Sequence, residues 1–121
     1  MIMRIKIRKA DAEYSKWLRK ERNWTCERCR RREEGGMQCS HFWGRKAESV
    51  RFDPENTDCL CFSCHNNFEM NPAEYVEWKH KRMGEKAYKV LMVRAHTTQK
   101  RDDAKVLLWL REVNKLENQN P

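Results

Sequence analysis

The sequence predicts a small α+β domain with a metal-stapled core and helices at both ends. The chain has 121 residues, of which 39% are hydrophobic and 36% are charged. This is enough for one domain, but its apolar core is thin, so a metal or disulfide staple is expected. Two C-x-x-C pairs supply candidates for that staple. Short strand patterns lie between the pairs, and amphipathic helical patterns lie on both sides of them.

The N-terminal half contains a basic helix and two predicted strands. Residues 2–8 alternate imperfectly between apolar and basic side chains, which predicts a short strand or an extended arm. A helix is predicted over residues 12–22, with Asp11 as its N-cap. Residues 37–43 predict a strand. Residues 50–52 predict a second short strand.

The C-terminal half is predicted to be helical. A helix begins near Cys64 and is broken at Pro72, which starts another helix over residues 73–82. Apolar residues recur at helical spacing over residues 85–96 and again over residues 102–117. These segments predict helices that pack on the metal-stapled core.

We expect one domain over residues 1–121. A basic arm and helix occupy residues 1–25, the metal-stapled core occupies residues 26–70, and a helical extension occupies residues 71–121. A dimer interface in that extension is one option and an intramolecular core is the simpler one, so monomer and homodimer both stay open.

The six cysteines favour a zinc site. Cys26 and Cys29 form the first C-x-x-C pair, and Cys61 and Cys64 form the second. Four thiolates in a tetrahedral arrangement suit zinc, and a site closed by four protein ligands is structural. Nothing indicates secretion, so a disulfide framework is less expected. The two remaining residues, Cys39 and Cys59, are interpreted as small buried hydrophobic side chains.

The net charge of +8 is concentrated near the N-terminus. Residues 1–32 hold 12 basic and 4 acidic residues, and the remainder of the chain is balanced. A solvated basic face is the simpler interpretation. The alternative is a phosphate-contacting patch formed by Arg28, Arg30, Arg31 and Arg32 around the first cysteine pair.

No membrane association is expected. No apolar run approaches the roughly 20 residues that span a bilayer. The N-terminal segment has no continuous apolar stretch of the kind found in a signal peptide. The expected location is the cytoplasm.

Three polar residues lie between and beside the cysteine pairs. His41 lies on a predicted strand, Asn56 follows a turn, and His65 directly follows the last cysteine of the second pair. Each has an ordinary explanation when taken alone: a structural histidine, a turn-forming asparagine, or a histidine that replaces a cysteine ligand. Together they form the pattern H-x14-N-x4-C-x-x-C-H inside a zinc frame.

This pattern resembles the HNH endonucleases of the ββα-metal fold, a treble-clef-like arrangement. The chain is most similar to the phage NinG (Rap) recombination-nuclease group. The similar segments are DAEYSKWLRKERNWTCERC, CSHFWGRK, VRFDPENTDCLCFSCH and NPAEYVEW, which run from about Asp11 to about Gly84.

The resemblance implies a role for each polar residue. His41 corresponds to the general base, and Asn56 to the asparagine that orients this base or holds the catalytic loop. His65 corresponds to a ligand of the single catalytic divalent ion, which is Mg²⁺ or another divalent metal. Arg45 and Arg51 are near the predicted strands and are candidates for clamping the scissile phosphate, with ordinary surface cations as the alternative.

One position departs from the family pattern. Many of these enzymes have Asp or His before the general base as a second metal ligand, and this chain has Ser40 there. Glu69 is a candidate substitute because it lies four residues after His65 on the same helix face, although a solvent-facing role is simpler. The NinG-like group also lacks that Asp.

The resulting hypothesis is a metal-dependent DNA endonuclease, and the resemblance suggests branched recombination intermediates as substrates. The alternative is a non-catalytic zinc module that binds nucleic acid through its basic N-terminal quarter. An enzyme directed at RNA is a third, weaker hypothesis.

Overall fold

A computed structural model describes residues 6–119. Within this range the chain forms five α-helices, one 3-10 helix and a two-stranded antiparallel sheet, which confirms the small α+β class. The helices are α1 (Lys9–Glu21), α2 (Phe62–Met70), α3 (Pro72–Met83), α4 (Glu85–Ala95) and α5 (Asp103–Gln119), and the strands are β1 (Gln38–His41) and β2 (Thr57–Leu60).

Helix α1 begins earlier than predicted. Its N-cap is Arg8, and Asp11 occupies the third helical position. The Asp11 carboxylate accepts the backbone N–H of Arg8 at 2.7 Å. The prediction that Asp11 is the N-cap is therefore wrong, although its carboxylate does satisfy a backbone donor at the start of the helix.

The second strand lies later in the chain than predicted. Residues 50–52 do not form a strand, because they end a 3-10 helix at Glu48–Val50 and enter a turn. The strand is Thr57–Leu60 instead, and it pairs with β1 so that His41 lies opposite Thr57. All four residues of β2 are buried, so no alternation of polar and apolar residues indicated a strand there.

The helices of the C-terminal half lie close to their predicted positions. Pro72 is the first residue of α3, as predicted. Gly84 follows α3 with φ 84°, a conformation that glycine adopts without strain. Helix α5 packs against α1, so the last element of the chain covers the first one.

Two apolar clusters form the interior. One surrounds the cysteine pairs and includes Leu60 and Phe68, with Tyr75 and Trp78 of α3 packed against it. The second joins α1 to α5 and consists of Tyr14, Leu18 and Leu110, with Trp17, Cys39, Phe52 and Val106 packed against it. The core is therefore divided into two small parts, and each of them contacts the sheet.

The structure describes only the end of the predicted N-terminal strand or arm. Most of the strand or arm predicted at residues 2–8 lies outside the described residues, and residues 6–8 have no regular secondary structure. No helix within residues 6–119 is long and apolar enough to cross a membrane.

Candidate functional site

The four cysteines of the two pairs come together in one cluster. The sulfur atoms of Cys26, Cys29, Cys61 and Cys64 all lie within 4.8 Å of one another. The Sγ atoms of Cys29 and Cys61 are 3.7 Å apart. Thiolates bound tetrahedrally to zinc at about 2.3 Å are separated by about 3.8 Å. The cluster can therefore hold a metal such as zinc.

The backbone around the cluster is arranged to stabilise thiolates. The N–H groups of Cys29 and Cys64 approach the Sγ atoms of Cys26 and Cys61 at 3.5 Å and 3.4 Å. Burial opposes ionisation of Cys26, but backbone N–H donors outweigh it and lower the pKa of this thiol to about 7. The thiolate is the form that binds metals.

The other two cysteines do not join the cluster. Cys39 and Cys59 lie opposite each other in the sheet, and both are free thiols. Burial raises the pKa of Cys39 to about 12 and that of Cys59 to about 11. Cys59 is fully buried, as predicted, and Cys39 is half-buried against the α1–α5 cluster.

His41 lies at the end of β1 with its ring held by the loop that leads to β2. Its Nε2 lies 3.0 Å from the backbone carbonyl oxygen of Arg51. A carbonyl oxygen only accepts, so Nε2 carries the proton and Nδ1 of the neutral ring has a free lone pair. Burial, reinforced by the positive charge of Arg45, lowers the pKa of His41 to about 4. The ring is neutral at pH 7 and has one nitrogen able to accept a proton.

Asn56 closes the loop between the strands. Its side chain is fully buried. The Oδ1 atom accepts the N–H of Trp43 at 2.8 Å, and Nδ2 donates to the carbonyl oxygens of Trp43 and Val50 at 2.9 and 3.0 Å. The two ends of the loop are therefore tied to one side chain, and Val50 directly precedes the residue whose carbonyl holds His41.

Arg51 is a structural residue and not a surface cation. It is 4% exposed. Its Nε and Nη2 atoms donate to the two carboxylate oxygens of Asp11 at 2.8 and 2.5 Å. Nη1 and Nη2 also donate to the backbone carbonyls of Arg45 and Lys6. All of its donor nitrogens are engaged inside the protein, so none of them is free to contact a phosphate.

Arg45 remains available beside His41. Its side chain is partly exposed, and its Nε lies 3.7 Å from Asp11 Oδ1 without a hydrogen bond. The Asp11 carboxylate therefore anchors Arg51 through hydrogen bonds and holds Arg45 only by charge. Sequence analysis missed Asp11 as the centre of this arrangement, because the contacts join residues 40 positions apart.

His65 lies on the first turns of α2, beside the cysteine cluster. Its Nε2 is 3.2 Å from Glu69 Oε1, and Glu69 is otherwise exposed. Its Nδ1 is buried and has no hydrogen-bond partner among the described residues. In the tautomer with its proton on Nε2, the nitrogen nearer Glu69, the lone pair of Nδ1 is free for a metal.

Ser40 is turned into the interior. Tyr75 of α3 donates to Asp58 Oδ2 at 2.7 Å, so the Ser40 hydroxyl donates to the Tyr75 oxygen at 2.9 Å. Lys79 donates to Asp58 Oδ1 at 2.8 Å, and both of these charged groups are buried. Ser40 therefore offers no ligand at the position where many HNH enzymes have one. Among residues 6–119, only the four-cysteine cluster brings three or more ligating side chains together.

The four arginines around the first cysteine pair differ in their surroundings. Arg28 is occupied: it donates to Asn67 at 2.8 Å, pairs with Glu74, and lies 4.3 Å from the centre of the Phe68 ring. Arg32 donates to the backbone of Asn23 at 3.2 Å. The remaining two, Arg30 and Arg31, are exposed and have no ion-pair partner among the described residues.

Glu27 is a further residue that sequence analysis missed. Its carboxylate is buried and accepts the N–H of Cys59 at 2.6 Å. It also accepts from Arg22, the C-cap of α1, and from Arg82 of α3, each at 2.7 Å. One side chain inside the first C-x-x-C pair thus connects the cluster to a strand and two helices, through contacts that no local pattern indicates.

No family model, curated protein or solved structure matches the chain. The HNH assignment therefore stays a prediction based on the motifs. The geometry around His41, Asn56 and His65 is the basis on which a function can be proposed.

Proposed function

We propose that the chain is a metal-dependent HNH endonuclease that hydrolyses phosphodiester bonds in DNA, with His41 as its general base. One observation carries the proposal. The His41 ring is kept neutral, its proton is held on Nε2 by the Arg51 carbonyl, and its other nitrogen is left free. This is the state that accepts a proton from water at pH 7.

The reaction begins with a water molecule next to His41 Nδ1. As the water oxygen attacks phosphorus, its proton passes to Nδ1. The bond between phosphorus and the leaving 3′ oxygen breaks, and that oxygen takes a proton from solvent water. The products have 5′-phosphate and 3′-hydroxyl ends, as the family resemblance implies.

Asn56 and Arg45 support this step from two sides. Asn56 fixes the loop that carries the Arg51 carbonyl, so it holds the His41 ring in one orientation. Arg45 contributes a positive charge beside His41, where the scissile phosphate binds. Arg45 is thus the proposed phosphate contact that remains after Arg51 is assigned to Asp11.

His65 is the proposed ligand of the catalytic divalent ion. Its buried Nδ1 without a partner fits this role. When bound, such an ion supplies charge stabilisation at the phosphate and at the leaving oxygen. Glu69 orients the ring through Nε2. Ser40 is occupied by Tyr75 and does not contribute, so few protein ligands and several waters are expected, as is common for Mg²⁺.

A non-catalytic, zinc-containing nucleic-acid-binding module is the second candidate. The observation that favours it is the absence, within residues 6–119, of a second ready-made group of metal ligands. The exposed Arg30 and Arg31 would serve such a module equally well. The two candidates differ in one respect, which is whether DNA is cut.

The test is nicking of supercoiled plasmid by the zinc-loaded protein, with Mg²⁺ or Mn²⁺ and without added ion. We expect nicked and linear products only with added ion. The variant His41→Ala should lose about 10²- to 10⁴-fold in rate, the usual worth of a general base. His80→Ala is the matched control, because His80 is partly exposed on α3, pairs with Glu85 and has no part in the proposed mechanism.

Each outcome separates the candidates. Nicking that depends on His41 but not on His80 supports the nuclease. Binding of DNA without cleavage under every ion supports the binding module. Cleavage by His41→Ala at the wild-type rate contradicts the proposed role of His41.

A further inference from the structure

An exposed phenylalanine lies on the second cysteine pair. Phe62 is 72% exposed although it is located between Cys61 and Cys64, two buried residues of the cysteine cluster. It is the first residue of α2, and the residue before it, Cys61, is the N-cap of that helix. A large aromatic side chain on a frame closed by a metal loses little conformational freedom when it binds a partner.

Arg30 and Arg31, which lie next to the first cysteine pair, are at the same end of the molecule as Phe62. The Sγ atoms of Cys29 and Cys61 are 3.7 Å apart, so the cluster brings the chain next to Cys29 close to the chain next to Cys61. Arg30 and Arg31 follow Cys29, and Phe62 follows Cys61. The metal cluster thus carries an exposed aromatic ring and two exposed cations without ion-pair partners among the described residues.

We propose that Phe62 is a stacking platform for an unpaired base of a DNA strand, with Arg30 and Arg31 contacting the neighbouring phosphates. Aromatic rings combined with basic side chains bind single strands without sequence preference, because every base has a stacking face and every linker a charge. A base inside a duplex has both faces covered, so it cannot use the platform. The substrate class is therefore DNA with a single-stranded segment, such as a flap, a tail or an open branch.

The charge pattern favours nucleic acid as the occupant. The chain carries a net charge of +8, and its excess lies in the residues that lead up to and include this surface. Of the acidic groups nearby, Glu27 is held by Arg22 and Arg82, and Glu74 pairs with Arg28. Glu33 and Glu34 are exposed and have no ion-pair partner among the described residues, so they lower the net positive charge of this surface without removing it. An acidic polymer with flat apolar groups complements this surface.

Part of this inference rests on the proposed function. The claim that DNA with a single-stranded segment is the substrate for cleavage depends on the proposed nuclease activity. The claim that Phe62 stacks on an unpaired base does not depend on it. Binding measured without added divalent ion therefore tests the platform separately from catalysis.

The test is fluorescence anisotropy with three labelled DNAs: a single strand, a fully paired duplex, and a duplex with a single-stranded tail. We expect Phe62→Ala to lower affinity for the single strand and the tailed duplex by about fivefold or more, the lower bound for losing one base–aromatic stack. Affinity for the paired duplex should change less than twofold. Phe62→Trp should restore the wild-type affinities.

Met70→Ala is the matched control, because Met70 is on the same helix and is 74% exposed. It should bind all three DNAs as the wild type does. Replacing Arg30 and Arg31 by alanine should weaken binding of all three and reduce the salt dependence. The proposal is overturned if Phe62→Ala binds like the wild type, if its loss is equal on the paired duplex, or if Met70→Ala has the same effect. Binding that depends on Phe62 without any cleavage would support the stacking platform and contradict the proposed nuclease activity.

Discussion

The state of His41 depends on its burial and on two residues of the loop that leads to β2. The Arg51 carbonyl fixes the proton on Nε2, while burial and Arg45 keep the ring neutral. The sequence pointed to His41 through its motif, but it could not indicate which ring nitrogen is free. That information depends on where residue 51 lies relative to residue 41, which only the folded loop determines.

The acid limb of the pH–rate profile tests the pKa of His41. A protonated ring cannot accept a proton, so activity should be lost only as pH falls towards about 4. The nicking rate at saturating DNA should therefore be nearly flat from about pH 5.5 to pH 8, with folding checked by circular dichroism at each pH. A limb near the ordinary histidine value of about 6.5 would contradict the assignment.

Arg45→Met tests the cause of that shift. The positive charge of Arg45 lowers the pKa of His41, so its removal should raise the pKa and move the acid limb to higher pH. Lys46→Met is the control, because Lys46 is the exposed neighbouring cation. An unchanged limb in Arg45→Met would contradict the contribution of Arg45 to the pKa of His41.

At the scale of elements, the loop from Trp43 to Val50 is the part that matters most. The side chain of Asn56 hydrogen-bonds to both ends of this loop. Arg51, the residue after the loop, is fixed by its hydrogen bonds to Asp11. This explains why the second strand was predicted in the wrong place. Val50 and Phe52 are apolar because they pack at the base of the loop, whereas Thr57 and Asp58 of the true strand are buried polar residues.

Those polar residues are satisfied by distant elements. Thr57 hydrogen-bonds with Tyr14 of α1 at 2.7 Å, and Asp58 pairs with Lys79 of α3 at 2.8 Å. A strand of this kind has no hydrophobic pattern of its own. The helices were predicted well for the opposite reason, since Pro72 and apolar spacing are local signals, although the N-cap of α1 was misplaced.

Asn56→Ala tests the closure of the loop. The change removes three hydrogen bonds and leaves buried backbone groups without partners, so the free energy of unfolding should fall by about 2–4 kcal/mol. Urea-induced unfolding measures this change. Asn66→Ala is the control, because Asn66 is exposed on α2 and should change stability by less than about 0.5 kcal/mol. Equal stability of the two variants would contradict the structural role of Asn56.

At the scale of the whole molecule, the cysteine cluster joins parts that the apolar core leaves separate. The core consists of two small clusters, one around the cysteine pairs and one between α1 and α5. The four thiols link the segment after α1 to the start of α2, and Glu27 extends this connection to α3. A metal held by these four thiols would therefore contribute a large part of the folding free energy.

Removal of one ligand should therefore unfold the protein. We expect metal analysis to find about one zinc per chain, and Cys26→Ser to lose both the zinc and the cooperative unfolding transition. Cys39→Ala is the control, because Cys39 is outside the cluster, and it should keep the zinc. A folded, zinc-free Cys26→Ser variant would show that the core alone holds the fold.

The central claim is that His41 accepts the proton of the attacking water, and chemical rescue tests it most directly. The measurement is the rate of plasmid nicking by His41→Ala with and without added imidazole, at saturating Mg²⁺ or Mn²⁺ and with zinc-loaded protein. The account predicts that the variant is slowed by about 10²- to 10⁴-fold and that imidazole restores part of the rate in proportion to its neutral form. The claim is contradicted if His41→Ala nicks plasmid at the wild-type rate without imidazole. It is also contradicted if the wild-type protein binds DNA and never cuts it.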